Sequence, residues 1–232
     1  AKNYGHDLDA MAEAITEKTR VIFIANPNNP TGNWLTGDEI EGFLARVPET
    51  VIVVLDEAYF EYAFDTNVSS GQGYPDGVNY LSKYPNVIIT RTFSKAYGLA
   101  SLRVGYGISN PEVADILNRV RQPFNVNSLA LVAAETALSD TTYLQKGRAL
   151  NQSGVAQLQA GFDALGLSYV PSAGNFVLVH FEVDAQPIFY ELLKRGVIVR
   201  PVGNYGMPNA LRVSVGTEQE NQRFLDSLAE VL

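Results

Sequence analysis

Residues 90–107 read TRTFSKAYGLASLRVGYG. They set Lys95 and Arg103 eight positions apart in a glycine-punctuated segment, with hydroxyls at Thr92 and Ser94. Hydroxyls and an arginine fork suit a phosphate. A lysine near cationic groups and partly out of water loses its proton more easily, which makes it an amine nucleophile for a carbonyl. Taken alone, a loop lysine is a solvated one, so the neighbouring segments decide. Residues 51–62, VIVVLDEAYFEY, put Asp56 at the end of an apolar run. A carboxylate there is costly unless a cation or donor meets it. Glu57 follows and, in extended chain, faces the opposite way; Tyr59 adds a phenol. Three uses are open to Asp56: a Mg²⁺–nucleotide ligand, a partner for a protonated ring nitrogen, or a cap on the next helix. Residues 25–32, ANPNNPTG, come directly after another apolar run. Two prolines stiffen this loop. Asn26, Asn28 and Asn29 bring amides to it, although the same residue types also build plain turns.

The elements that must position these residues are legible in outline. VIFIA (21–25), VIVVL (51–55), NVIIT (86–90) and VGYGI (104–108) are near-continuous apolar runs. Such runs suit strands covered on both faces, as in a mainly parallel sheet. Thr36 with Glu39 forms a capping-box pattern ahead of Ile40, Phe43, Leu44 and Val47, and Asn110-Pro111 marks a second helix start. The first half therefore reads as β-α-β crossovers, an α/β layer architecture. Ligands of open α/β sheets bind beyond the carboxyl ends of the strands. Three consecutive strand ends then supply an amine, a carboxylate, donors and cations. Pyridoxal phosphate needs that set for its aldehyde, ring nitrogen, phenolic oxygen and phosphate. A P-loop nucleotide site needs G-x-x-x-x-G-K-[ST], and the chain has no Gly-Lys pair.

The second half reads differently. Helices are expected over 127–139 and 142–165, the latter stopped at Gly166. Strands follow at 168–170 and 175–181, then a helix over 185–195 stopped by Gly196. Strands at 197–200 and 211–215 lead to a last helix opened by Thr217 and Glu220. The expected division is a large domain over 1–140 and a smaller α+β domain over 141–232. The polar, glycine-rich stretch 65–77 reads as a surface connection. In bulk, 232 residues with 46% hydrophobic and 18% charged describe an ordinary globular chain. A net charge of −8 without basic, aromatic-interleaved stretches speaks against nucleic acid as a partner. No apolar run is long enough for a membrane span, residues 1–20 do not read as a secretory leader, and a cytoplasmic location is the expectation. Cysteine is absent, which removes disulfides, thiolate metal sites and cysteine nucleophiles. His6 and His180 are isolated, with no metal-ligand spacing.

With these motifs in order, the chain resembles the fold-type I pyridoxal-phosphate aminotransferases, and within them the histidinol-phosphate aminotransferase branch. NPNNPTG, DEAYFEY, RTFSKAYGLASLRVGY, PSAGNFVLV and GVIVRPVGNYGMPNALRVSVGT carry the resemblance along essentially the whole chain. It implies a three-layer large domain with a mainly parallel sheet, then a small α+β domain. Lys95 would be the cofactor's covalent anchor and proton carrier. Asp56 would pair with the ring nitrogen, Asn29 and Tyr59 would hydrogen-bond the phenolic oxygen, and Thr92, Ser94 and Arg103 would hold the phosphate. In such relatives the Asn29–Pro30 bond is often cis. Arg212 would take the substrate's anionic group, with Arg200 as a second anion ligand and Asn175 nearby. The implied reaction exchanges an amine between histidinol phosphate and the 2-oxoglutarate/glutamate pair, in a homodimer. An aromatic amino-acid aminotransferase shares these motifs, and a P-loop protein or a non-catalytic dimerising fragment are the alternatives of other classes. Relatives carry about a hundred or more residues upstream. These supply a glycine-containing phosphate cup, a ring-stacking aromatic residue and a cross-dimer tyrosine, none identifiable here. With no initiator Met, the sequence reads as a fragment or a processed chain.

Overall fold

The structure, a computed structural model, describes residues 1–63 and 73–232; the connection expected at 65–77 lies in large part outside the described residues. The chain divides into two compact units. The first comprises Ala1–Pro27 and Trp34–Lys146, the second Asn28–Asn33 and Gly147–Leu232.

In the first unit, α1 (Leu8–Glu13) precedes β1 (Val21–Ala25), α2 (Gly37–Leu44), β2 (Ile52–Asp56), α3 (Phe60–Ala63), β3 (Val87–Thr92), β4 (Gly105–Ser109), α4 (Pro111–Val120) and α5 (Ser128–Ser139). The sheet runs in the order β1-β2-β3-β4. Its first three strands are parallel, in a register that aligns Ala25 with Asp56 and Asp56 with Thr90. Their carboxyl ends therefore share one rim. β4 runs antiparallel to β3, setting Gly105 opposite Thr92. The α2 helix starts where its sequence says it should. Thr36 Oγ1 accepts from the Glu39 N–H, and the Thr36 N–H donates to Glu39 Oε2 at 2.8 Å. Its apolar face, Ile40, Phe43 and Leu44, packs with Ile24, Val53, Leu55, Val87 and Ile89 of the sheet. Each such large side chain contributes about 2 kcal/mol by leaving water. One expectation is corrected. Of the four apolar runs, only those in β2 and β3 are covered on both faces. Val21 and Phe23, two apart and so on one face of the edge strand β1, are 47% and 69% exposed, and β4 buries none of its five residues.

The long helix α6 (Thr141–Ala164) begins in the first unit and continues in the second. Then come β5 (Ser168–Val170), β6 (Phe176–His180), α7 (Ala185–Lys194), β7 (Arg200–Pro201), β8 (Ala210–Ser214) and α8 (Glu218–Val231). The second sheet, β5-β6-β8-β7, is antiparallel throughout. Leu158, Phe162, Leu192, Phe224 and Leu228 from three helices pack on Val177, Val179, Leu211 and Val213. The strand expected over 197–200 is only Arg200–Pro201. Gly196, at φ 75°, closes α7 instead: its N–H donates to the Leu193 carbonyl and the Val197 N–H to the Leu192 carbonyl, both at 3.0 Å. That six-to-one closure takes Val197 out of the ladder.

Candidate active site

The rim of the first sheet carries the chemistry. Asp56 is the last residue of β2, and its Oδ1 accepts the Ala58 N–H at 3.2 Å, turning the chain towards Tyr59. Tyr59 is buried. Thr92 ends β3 and accepts the Ser94 N–H at 3.1 Å through Oγ1. The turn that follows presents Lys95, whose carbonyl accepts the Gly98 N–H at 2.9 Å. Gly98 has φ 71°, a left-handed conformation that favours glycine, and a Cβ there would lie 2.7 Å from the Tyr143 hydroxyl. Lys95 Nζ stands 5.3 Å from the centre of the Tyr59 ring. Arg103 sits at φ 52°, ψ 48°, an unusual place for a side chain of its size. Its Nη1 donates to Ser94 Oγ at 3.2 Å and to the Ala100 carbonyl at 2.8 Å. Asp56, Thr92, Ser94, Lys95 and Arg103 thus line one open depression, with Ala58, Thr90, Arg91, Val104 and Gly105.

Behind this rim lies a charged cluster that the sequence reading missed. Arg91, 9% exposed, donates from Nε and Nη2 to Oε2 of Glu57, 2% exposed, at 2.9 and 2.7 Å. Its Nη2 also meets Asp76 Oδ1 at 2.7 Å, and its guanidinium lies 3.3 Å from the centre of the Phe60 ring. Glu57 Oε1 accepts the Gly77 N–H at 2.9 Å. Burial pushes the Glu57 carboxyl up to about 7, against the opposing pull of Arg91. A signal was present: Arg91 interrupts an apolar strand, and Glu57 was already expected to face away from Asp56. The pairing itself needed the register of β2 on β3.

The three asparagines separate. Asn26 is buried and structural: Oδ1 accepts the Leu35 N–H at 2.8 Å and Nδ2 donates to the Leu35 carbonyl at 3.3 Å. Asn28 donates to Thr31 Oγ1 at 2.8 Å. The Asn26 N–H also donates to the Asp56 carbonyl at 2.9 Å, whereas Asn29 reaches a candidate site residue through its side chain, accepting from Arg212 Nη1 at 2.6 Å within the second unit. The Asn26–Pro27 and Asn29–Pro30 bonds are both cis. The loop is pinned where Gly32, at φ 82°, lies so close to Ser172 that a Cβ would come within 2.2 Å of its Oγ.

In the second unit Arg200 of β7 and Arg212 of β8 are direct cross-strand partners. Arg212 also lies over the Phe176 ring, 5.0 Å from its centre. Like charges opposite each other in a ladder repel, and an anion between them removes that cost. The Asn175 carbonyl accepts the Val215 N–H at 2.9 Å, next to the β6–β8 ladder.

The donor set of the first depression fits pyridoxal phosphate: an amine for the aldehyde, a carboxylate for the ring nitrogen, two hydroxyls and a guanidinium for the phosphate. Among the described residues no three His, Cys, Asp or Glu side chains could hold a metal ion. No described helix is long and apolar enough to cross a membrane.

Comparison with known proteins agrees with this chemistry. Histidinol-phosphate aminotransferase 2 of Pseudomonas fluorescens is 61% identical over 232 residues, all of this chain and 61% of its own length. The enzyme of the same name from Pseudomonas aeruginosa is 60% identical over the same span. The crystal structure of histidinol-phosphate aminotransferase from Sinorhizobium meliloti, in complex with pyridoxal 5′-phosphate, superposes with a TM-score of 0.89 at 32% identity. It covers 98% of this chain and 61% of that one. The chain therefore spans about 61% of the length of the relatives it matches. The model of the family described as aminotransferase class I and II matches residues 1–228, and the chain belongs to that family.

Proposed function

We propose that the protein is a pyridoxal-phosphate-dependent aminotransferase that moves an amine between histidinol phosphate and the 2-oxoglutarate/glutamate pair, working as a cytoplasmic homodimer in histidine biosynthesis. The observation that carries this reading is the meeting of Lys95, Asp56 and Arg103 at one strand rim, in a chain 61% identical to a histidinol-phosphate aminotransferase.

Lys95 would hold the cofactor covalently through its aldehyde carbon and would move a proton between the carbon bearing the substrate's amine and that former aldehyde carbon. Asp56 keeps a proton on the ring nitrogen. Pyridoxal phosphate, when bound, supplies an electron-poor ring that takes up the charge left by proton removal. Arg103, Ser94 and Thr92 hold the phosphate; the hydrogen bond from Arg103 to Ser94 presets both. Tyr59 and Asn29 are assigned to the phenolic oxygen. The hydrogen bond from Arg212 Nη1 to Asn29 Oδ1 fixes the orientation of that amide.

Arg212 and Arg200 are the proposed ligands of the substrate's phosphate, with Asn175 near them. Two guanidiniums opposite each other suit a dianion better than a single carboxylate, which favours histidinol phosphate over phenylalanine or tyrosine. Two measurements test the reading. Borohydride reduction of the yellow protein is expected to leave an adduct that peptide mapping places on Lys95. Histidinol phosphate is expected to donate its amine faster than phenylalanine or tyrosine. An adduct elsewhere would end the Lys95 assignment, and equal rates with the aromatic amino acids would end the histidine-pathway assignment.

A further inference from the structure

Three proposed cofactor ligands have, as their immediate chain neighbour, a member of the buried cluster behind the rim. Asp56 precedes Glu57, Tyr59 precedes Phe60, and Thr92 follows Arg91. Arg91 and Thr92 are successive residues of β3 and face opposite sides, while Glu57 directly follows the end of β2 and Phe60 opens α3. A contact made behind the rim therefore fixes the backbone that aims the side chain in front of it. Arg91 is the hub of these contacts. It binds Glu57 with two hydrogen bonds, Asp76 with a third, and stacks on Phe60. Glu57 and Asp76 are each anchored in turn: Glu57 Oε1 accepts the Gly77 N–H, and Asp76 Oδ1 accepts the Val78 N–H at 3.0 Å. The end of β2, the end of β3 and the short helix α3 are thus clamped to one guanidinium.

We propose that Arg91, with Glu57 and Asp76, is a positioning device for the cofactor site: Arg91 is among the residues lining the depression, but its guanidinium is committed to Glu57, Asp76 and Phe60, and it acts by setting Asp56, Tyr59 and Thr92 for pyridoxal phosphate. The inference rests on the cofactor reading above. An arginine is required rather than any cation. The planar fork aims Nε and Nη2 together at one oxygen of Glu57 while its face covers Phe60, a geometry that a compact ammonium does not reproduce. A bulk structural role would be indifferent to that geometry as long as the charge is kept.

The test compares wild type with Arg91→Lys and Asp76→Asn. Arg91→Lys keeps the charge of the cluster; Asp76→Asn removes one of its two carboxylates but retains the side-chain oxygen that accepts from Val78. The thermal midpoint of each holoenzyme is read against its apo form, and pyridoxal phosphate affinity is titrated through the visible absorption band. The expected result is an apo midpoint near wild type with pyridoxal phosphate affinity reduced by about tenfold in Arg91→Lys and by a smaller factor in Asp76→Asn, as for other residues that orient direct ligands. The stabilisation on cofactor binding shrinks in the same order, and the pH midpoint of the visible band moves in both. A variant that loses apo stability yet keeps full affinity and an unmoved band would make the cluster merely structural and overturn the inference. If wild type itself gains no band and no stabilisation with pyridoxal phosphate, the cofactor reading falls first and takes this inference with it.

Discussion

In the first unit Arg91 faces two carboxylates and an aromatic ring, and its charge is answered from inside the protein. In the second, Arg212 meets an amide oxygen and the face of Phe176, with Arg200 directly across the ladder. Both are strand arginines beside proposed binding residues. The difference shows how the surroundings decide an arginine's task. Guanidinium groups surrounded by carboxylates hold the backbone together. Guanidinium groups set against each other hold a place for an anion. The first arrangement belongs to a parallel sheet whose strand ends must be kept in line, the second to an antiparallel ladder that brings two side chains face to face.

That contrast can be broken at several points. The largest effect is expected at the rim. Lys95→Ala should lower kcat by more than about a thousandfold while leaving the circular dichroism spectrum intact, since the amine is proposed as both anchor and proton carrier. Full turnover would remove the rim from the chemistry. Next, Glu57→Ala should cost about 3 kcal/mol in urea unfolding, because it removes two of the three carboxylate hydrogen bonds of a buried guanidinium and leaves it Asp76 alone; a loss within error would mean that Glu57 is not what neutralises Arg91. The same carboxyl carries a pH signature. Its affinity for a proton is raised on folding, from the ordinary 4.5 to about 7, by burial. Its contribution to stability is therefore fully present below about pH 4.5 and is lost as pH rises through about 7. The stability of wild type relative to Glu57→Gln should fall across that window and level off above it; a rise there would reverse the sign argued for burial.

In the second unit the expectation is the opposite: little stability at stake and much binding. Arg212→Ala should raise KM for histidinol phosphate roughly thirtyfold, about 2 kcal/mol of charge-assisted hydrogen bonding, with a urea midpoint close to wild type. A large stability loss with unchanged KM would make Arg212 the counterpart of Arg91. The smallest effects fall on a device the units share. Thr36→Ala and Thr217→Ala each remove a capping box and should each cost about 1 kcal/mol of unfolding free energy. Unequal losses would show that one of the two helices relies less on its cap.

Much of this was legible in residue order. Helix starts at Thr36, Asn110 and Thr217 are written in local chemistry, where a side chain caps its own next turn, and the structure has all three. The grouping of Lys95, Asp56 and Arg103 followed from strand ends sharing one rim. What was not legible depended on partners far along the chain. Asn26 could not be told from Asn29 by type, since one meets Leu35 nine residues on and the other Arg212, 183 residues away. The hub at Arg91 needed the β2–β3 register. The late start of β7 turned on whether Val197 would serve the helix before it or the sheet after it.

Arg103 supplies the depression's guanidinium from a left-handed backbone conformation that glycine adopts freely and arginine resists. Selection for thermal resistance alone would thus favour glycine at position 103, and the sturdier protein would have lost the guanidinium proposed to hold a phosphate. A heat-tolerance screen of this chain is, at that residue, a screen against its own chemistry.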